Sequence, residues 1–217
     1  MFEGYNMEIS DNFELGLRFK KGWFEIMPTA FYSKNSNLLT TIYDPRVKLN
    51  YQQNIGEATG YGFEVETNIH ITDNITFFVN PTYTIMTYDT DLTYQGYTLN
   101  TKHKQVVDTP EWLIKSGLIL KYAGVELVPM IRFVGDRYGD AEHKEKVDDY
   151  FLMDLKVAYT MKDLSYVQTA KISLELQNIL NSKYISVINA SDDSRSGSTS
   201  YYTGAPFTAV IKLSMEF

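Results

Sequence analysis

The chain has 217 residues, no cysteine and a formal net charge of −7. Its size admits a single domain with a sizeable core, while the acidic balance and the lack of any Lys/Arg run exclude a basic nucleic-acid footprint, so nucleic acid is not an expected partner. The absence of cysteine removes disulfide scaffolds, thiolate zinc sites and cysteine nucleophiles together.

No stretch approaches the ~18 consecutive apolar residues that a transmembrane helix needs. The residues after Met1 (Phe2, Glu3, Gly4, Tyr5) have neither the basic nor the apolar region of a signal peptide, so an exported chain implies an upstream portion. Mean hydropathy lies on the hydrophilic side, but a strand with lipid on one face and a wet lumen on the other alternates residue by residue and leaves no continuous apolar signal.

That alternation runs from end to end. Phe13, Leu15, Leu17 and Phe19 oppose Asn12, Glu14, Arg18 and Lys20, and Phe24, Ile26, Pro28, Ala30 and Tyr32 follow. Tyr61, Phe63, Val65 and Ile69 oppose Glu64, Glu66, Asn68 and His70, and Ile75, Phe77, Val79, Tyr83 and Ile85 come next. Further on, Trp112, Ile114, Leu118 and Leu120 share a face, as do Val125, Leu127, Ile131 and Phe133. Phe151, Met153, Leu155, Val157 and Tyr159 oppose Asp154 and Lys156; Ile172, Leu174 and Leu176 oppose Lys171, Ser173 and Glu175. The pattern is cleanest at the end, where Phe207, Ala209, Ile211, Leu213, Met215 and Phe217 face away from Thr208, Lys212, Ser214 and Glu216. About nine strands of membrane-spanning length result.

Connections alternate in length. Lys20 to Gly22, Thr72 to Asn74 and Ala123-Gly124 are tight and 161–170 is intermediate, whereas 35–53, 89–110, 138–148 and 181–205 are long. In an up-and-down meander the four long ones fall on one rim, as in an outer-membrane barrel with short periplasmic turns. Pro28, Pro81 and Pro129 sit within strands and require local irregularities. Trp23, Tyr61, Tyr88, Trp112, Tyr122, Tyr138, Tyr159 and Tyr184 stand near strand ends, where an aromatic girdle is expected. The fold class is therefore all-β, an antiparallel up-and-down transmembrane barrel segment; a soluble β-sandwich, whose strands also alternate, is the competing architecture. Bacterial barrels have even strand numbers and begin and end in the periplasm, so at least one further strand is expected upstream.

Three segments resemble TonB-dependent receptors. Asn54-Ile55-Gly56-Glu57-Ala58-Thr59-Gly60-Tyr61-Gly62-Phe63-Glu64-Val65-Glu66 is similar to the family's G-x-E-x-E strand. Arg132-Phe133-Val134-Gly135-Asp136-Arg137-Tyr138 resembles a strand end of the family, and Leu176-Gln177-Asn178-Ile179-Leu180-Asn181-Ser182-Lys183-Tyr184 its segment near the C-terminus. The sequence also ends on an aromatic residue, Phe217. The resemblance implies that residues 1–217 are the C-terminal portion of a plugged barrel of about 22 strands in the bacterial outer membrane. It further implies TonB-driven uptake of a scarce ligand, with ferric siderophore the default through family frequency alone and cobalamin, haem or an oligosaccharide equally compatible with these residues. The plug, the TonB-contacting segment and the earlier strands would lie outside these residues, so the fragment is not expected to transport alone. Implied partners are outer-membrane lipid, TonB through the missing N-terminal part, and the barrel-assembly machinery, for which Phe217 would be the recognition signal. The alternatives are a secreted soluble β-rich binding module, or an outer-membrane barrel of another class.

Chemistry-bearing motifs are sparse. His70, His103 and His143 have no metal-ligand spacing. The acids around His143 (Asp140, Glu142, Glu145, Asp148, Asp149) match no calcium loop and read as a solvated acidic stretch. No G-x-S-x-G occurs, and Glu64 with Glu66 reads as lumen wall meeting Arg or Lys groups; no enzyme, cofactor or metal site is expected. Within the resemblance, ligand contacts come from the long loops, which makes Arg46, Tyr94, Tyr97, His103, Arg137, Tyr138, Arg195, Tyr201 and Tyr202 the candidates.

Overall fold

The computed structural model of the chain describes residues 6–44, 49–94, 96–164, 166–189 and 199–217. One antiparallel sheet dominates. Its strands, in spatial order, are β1 (Ile9–Gly16), β3 (Phe24–Asp44), β4 (Leu49–Thr72), β5 (Ile75–Tyr88), β8 (Trp112–Tyr122), β9 (Val125–Val134), β12 (Tyr150–Leu164), β13 (Val167–Gln177) and β16 (Thr208–Glu216). A short strand, β2 (Phe19–Lys21), continues β1 along β3. Each of these nine strands pairs with its sequence neighbour in the sheet, which is the expected meander, and β1 and β16 stand at its two edges.

Register joins the alternating positions into a single outward face. Phe13 lies opposite Tyr32, Tyr32 opposite Tyr61, and Tyr61 opposite Ile85. Tyr83 meets Trp112, Phe133 meets Phe151, Tyr159 meets Ile172, and Ile172 meets Leu213. Most of these side chains are left in the open: Phe13 is 67% exposed and Leu213 61%. An apolar face of this extent on a single-layer sheet has no second sheet to cover it, which removes the sandwich and leaves lipid as the covering medium. On β4 the outward run from Tyr61 to Ile71 spans ~33 Å along the strand, which at a barrel tilt of ~40° gives a band ~25 Å tall, the height of an outer-membrane apolar belt.

The prolines interrupt pairing without shifting register. Pro28 has no N–H to return to Leu17, whose own N–H donates to the Pro28 carbonyl, and the break between β1 and β2 lies there. Paired positions of β4 and β5 likewise pass from Glu64 and Thr82 to Thr67 and Val79, skipping Pro81. Those of β8 and β9 pass from Gly117 and Met130 to Leu120 and Leu127, skipping Pro129.

Two of the expected loops are strand. Residues 35–44 and 49–53 pair in the extended β3–β4 ladder, with register shifts around Leu38, and residues 161–164 run against 167–170, Leu164 facing Val167. In both segments pairing persists without a continuous apolar face in the sequence to announce it. The girdle is also narrower than expected: Trp23, Tyr61, Trp112, Tyr122 and Tyr159 are exposed on the outward face, but Tyr88 is buried at the rim, and Tyr138 and Tyr184 lie in loops.

Two inward glycines let strands approach closely. A Cβ on Gly62 would run into the Tyr83 carbonyl and the Phe31 ring, and one on Gly117 would meet the Pro129 carbonyl oxygen at 2.5 Å and the Phe78 ring at 2.9 Å. Phe31 and Phe78 thus cover the backbone that the glycines leave bare, an arrangement that pins register.

Candidate functional site

All the long connections stand on one rim, because every main strand is antiparallel to its neighbours. Residues 89–111 carry a hairpin of β6 (Leu92–Tyr94) and β7 (Tyr97–Leu99). Residues 135–149 carry β10 (Arg137–Tyr138) paired with β11 (Lys146–Val147), and 178–207 carry β14 (Ile185–Asn189) paired with β15 (Ser200–Thr203).

The main cluster of buried apolar side chains lies at this rim, on the inner side of the wall. Ile55, Ala58, Tyr88, Leu92, Leu99 and Ala141 are packed together, flanked by Leu38, Met86, Val106 and Val107. Ala58, Met86 and Tyr88 continue the inward series of β4 and β5, so the 89–111 loop folds over the barrel mouth instead of standing away from it. Inside that loop the Asp91 carboxylate accepts the backbone N–H groups of Lys102 (2.9 Å) and Thr101 (3.0 Å), which hold its pKa below the usual aspartate range. The buried Thr101 hydroxyl accepts the Leu92 N–H and donates to the Thr90 carbonyl.

Three loops meet at Arg137. Its Nη1 donates to Asp108 Oδ1 at 2.9 Å, its Nη2 to the Ile185 carbonyl at 2.6 Å, and its guanidinium lies 5.7 Å from the centre of the Tyr150 ring. The side chain is buried, and its Nε–H has no partner among the described residues. Beside it the Tyr138 ring stacks on His143 at 3.7 Å, and His143 Nε2 lies 2.8 Å from the Gln105 carbonyl, which requires the proton to sit on Nε2. Lys104 Nζ reaches the Glu142 carbonyl. Tyr201 donates its hydroxyl to Glu145, and burial followed by that carboxylate pushes its pKa far up, so the phenol stays protonated. Asp140, fully buried, caps its own turn by accepting the N–H groups of Glu142 and Glu145. The acidic stretch around His143 is therefore largely loop framework.

The three familiar segments build this rim. Asn54 is bonded to Asn6 and to the Asn37 carbonyl, and Ile55 and Ala58 enter the buried cluster. Arg132 pairs with Asp154 (2.9 Å), whose other oxygen accepts the Asn178 N–H (2.8 Å). Asn178 is buried at φ 50° and bonds Ser182 in both directions and the Ala205 carbonyl, turning the chain out of β13. These residues hold the backbone of the rim in place.

The candidate ligand residues separate accordingly. Tyr97, His103 and Tyr202 are exposed. Tyr94 stands opposite Tyr97 in the hairpin register. Arg137 is 4% exposed and tethers neighbouring loops through Asp108 and Ile185. Tyr138 presents one ring face to His143, and Tyr201 lies against Gly139. Arg46 and Arg195 fall outside the described residues. Sequence reasoning missed a cleft of about 640 Å³ between the 135–149 and 178–207 loops, with Tyr150, Tyr184, Tyr201, Lys144, Lys146 and Lys183 among its walls. Tyr150 packs on Tyr184 at 4.6 Å. Its inward parity with Leu152 and Asp154 was the available signal.

Comparison with known proteins follows the same lines. A model of the family described as "TonB dependent receptor-like, beta-barrel" matches residues 2–179. The chain is 25% identical over 169 residues to the "Ferrioxamine B receptor" of Salmonella typhimurium (strain SL1344), a stretch that is 74% of this chain and 22% of that protein. The chain thus corresponds to a minor part of the curated relatives' length. Among solved structures it is similar to the ferric yersiniabactin uptake receptor FyuA from Yersinia pestis, with 15% identity, a TM-score of 0.71, and coverage of 97% of this chain and 30% of that one. The corresponding figures are 16%, 0.74, 96% and 31% for the ferric citrate transporter FecA. For BauA, the ferric preacinetobactin receptor from Acinetobacter baumannii, they are 20%, 0.72, 96% and 29%. At such identities the shared property is the fold.

Proposed function

We infer the function from one premise: the chain belongs to the TonB-dependent receptor family, as part of its β-barrel. Its place is the bacterial outer membrane, and the family consists of transport receptors. On that premise residues 1–217 form the C-terminal wall of a barrel of about 22 strands, whose plug and earlier strands lie outside this sequence. The intact protein takes up a ferric siderophore, driven through TonB by a segment outside these residues, and has no enzymatic activity. The observation that carries this reading is the combination of a lipid-facing band on nine consecutive strands with three long loops interlocked over one mouth. The similarity to a protein named for ferrioxamine B supports a siderophore and makes that compound the first probe. Contacts to it come from the exposed Tyr97, His103 and Tyr202 and from the Tyr150–Tyr184 cleft, where aromatic faces and polar side chains converge.

Uptake of radiolabelled iron from ferrioxamine B, measured in iron-limited cells with and without the intact receptor, tests the proposal. Uptake that requires the receptor and vanishes when TonB is removed is the expected result. Receptor-dependent uptake that survives loss of TonB overturns the mechanism. Release of the protein from membranes by carbonate without detergent would instead support a soluble binding module.

A further inference from the structure

We propose that the cleft between the 135–149 and 178–207 loops is a site for an ammonium group, so that the ligand of the intact receptor is a ferric complex bearing a pendant primary amine. The proposal rests on the reading of the chain as part of a siderophore receptor and adds the charge its ligand must carry. The cleft encloses about 640 Å³, a volume in the range of small-molecule sites. Tyr150 and Tyr184 stand together in its wall, ring centres 4.6 Å apart and planes inclined by 35°. Aromatic faces of this kind attract an organic cation through the ring quadrupole.

Charge then decides between ligands. The cleft is lined by Lys144, Lys146 and Lys183 and by Glu145, Asp148 and Asp149. Two of the three ammonium groups are held by carboxylates, Lys144 by Glu142 and Lys146 by Asp136. Glu145 accepts the Tyr201 hydroxyl, a neutral partner that leaves its charge in place. Asp148 and Asp149 are exposed and make no hydrogen bond or ion pair through their side chains among the described residues. Lys183, exposed on the facing loop and likewise unpaired there, offsets one of them. Arg137, 5.7 Å from the centre of the Tyr150 ring, is neutralised by Asp108. The surplus continues across the mouth, because in sequence the 89–111, 135–149 and 178–207 loops carry twelve Asp and Glu against seven Lys and Arg. Residues 34–57, with two against three, do not offset it.

Ferric complexes differ in the charge they bring. Three hydroxamates balance the iron and leave a neutral core, to which an amine at the end of the chain adds one positive charge. Three catecholates leave three negative charges. A tri-anion entering the cleft meets carboxylates that no neighbouring cation screens, and like charges at close range count against binding. An ammonium instead exchanges water for Asp148, Asp149 and the tyrosine faces, and the field of an acidic rim raises its local concentration before contact. A complex without the amine gains neither.

The test compares two iron(III) complexes that differ at one group: ferrioxamine B, whose chain ends in a primary amine, and its N-acetyl derivative, which keeps the three hydroxamates and loses the charge. Quenching of the intrinsic fluorescence of the intact receptor in detergent gives the affinity for each. Ferrioxamine B should bind about tenfold more tightly, as two partly exposed ion pairs and a cation–π contact together provide. That difference should vanish in the Asp148→Asn/Asp149→Asn double variant, whose retained affinity for the acetylated complex reports that it is folded, and should widen in Lys183→Gln. In the unmodified receptor it should also shrink as salt rises from about 0.05 to about 0.5 M, a readout that needs no variant. Equal affinities in the unmodified receptor, a difference that survives in the folded double variant, or one that salt does not move overturns the ammonium site. TonB-dependent uptake of iron from both complexes, assayed alongside, separates the two readings. Equal binding with such uptake removes the ammonium site alone, whereas neither binding nor uptake with either complex removes the siderophore reading and the site with it.

Discussion

Arg137 and Asp108, 29 positions apart in the chain, meet at 2.9 Å where two loops cross the barrel mouth, and the same guanidinium holds a third loop through the Ile185 carbonyl. Arg137→Ala leaves Asp108 and that carbonyl without their donor. Removing one partner of a fully buried pair costs ~3–5 kcal/mol, and since Asp108 keeps 33% of its side chain in water, a value on the order of 2 kcal/mol is expected here. The loss should be local. Amide exchange in residues 104–108 and 185–188 should accelerate more than tenfold while the strands keep their protection; unchanged exchange at Asp108 would show that the loops dock without Arg137.

Asp91 offers a test in acid. Its carboxylate is held below the ordinary aspartate range by the Lys102 and Thr101 N–H groups, so its contribution is present above the unfolded pKa of ~3.9 and is lost only as pH falls through the lower folded value. Protection of the Thr101 and Lys102 amides should therefore persist from neutral pH down to about 4, the unfolded aspartate value. In Asp91→Ala it should be absent throughout that range. Loss of protection near pH 5 in the unmodified protein would contradict the assignment.

How much of this was legible beforehand depended on whether one face of a segment is apolar. The outward series from Phe13 to Met215 was readable because lipid on one side and water on the other enforce period two. Residues 35–53 were not, because the polar Asn35, Ser36, Gln52 and Gln53 interrupt the alternation that announces a strand. Arg137 could not be distinguished from an exposed loop arginine, since its burial comes from Asp108 and Ile185, 29 and 48 positions away. The motif asparagine Asn178 was visible, but its role in turning the chain out of β13 depends on Asp154 and Ala205, which only the fold brings near.

Gly62 sets a steric prediction. An alanine there drives its methyl into the Tyr83 carbonyl and the Phe31 ring, and backbone on the neighbouring strand cannot move aside cheaply. Gly62→Ala should reduce the yield of folded barrel several-fold, whereas alanine at Gly22, where a Cβ meets nothing within 4 Å, should reduce it far less despite its φ of 51°. Equal yields would mean that the wall can shift at Gly62.

Depth in the bilayer gives another. Leu174 lies in the middle of the outward face of β13, between Val157 and Ile211, while Tyr122 is 79% exposed beside a tight turn. Arginine at the bilayer midplane costs ~2–4 kcal/mol and near the interface ~0–1. Denaturant unfolding of the intact receptor in lipid vesicles should show that difference between Leu174→Arg and Tyr122→Arg; equal losses would place the belt elsewhere.

Phe217 closes the outward series of β16, two positions beyond Met215, and is 78% exposed. β16 pairs with β13 along one side and, among the described residues, presents its other edge unpaired, so it combines a clean apolar face with open backbone donors and acceptors, the features that favour docking by strand addition. We propose that the barrel-assembly machinery recognises this strand through Phe217; the competing role is that of one interfacial anchor among many. The two differ in what deletion does. An anchor near the interface contributes a modest increment, well below the ~2–4 kcal/mol that marks the bilayer midplane, and its loss would lower the heat resistance of folded barrels. A recognition element acts before folding, so its loss lowers the number of barrels and leaves each survivor as stable as before. Deleting Phe217 from the intact receptor should therefore cut outer-membrane abundance several-fold while surviving molecules keep near-normal heat resistance on gels; normal abundance with reduced heat resistance would leave only the anchor.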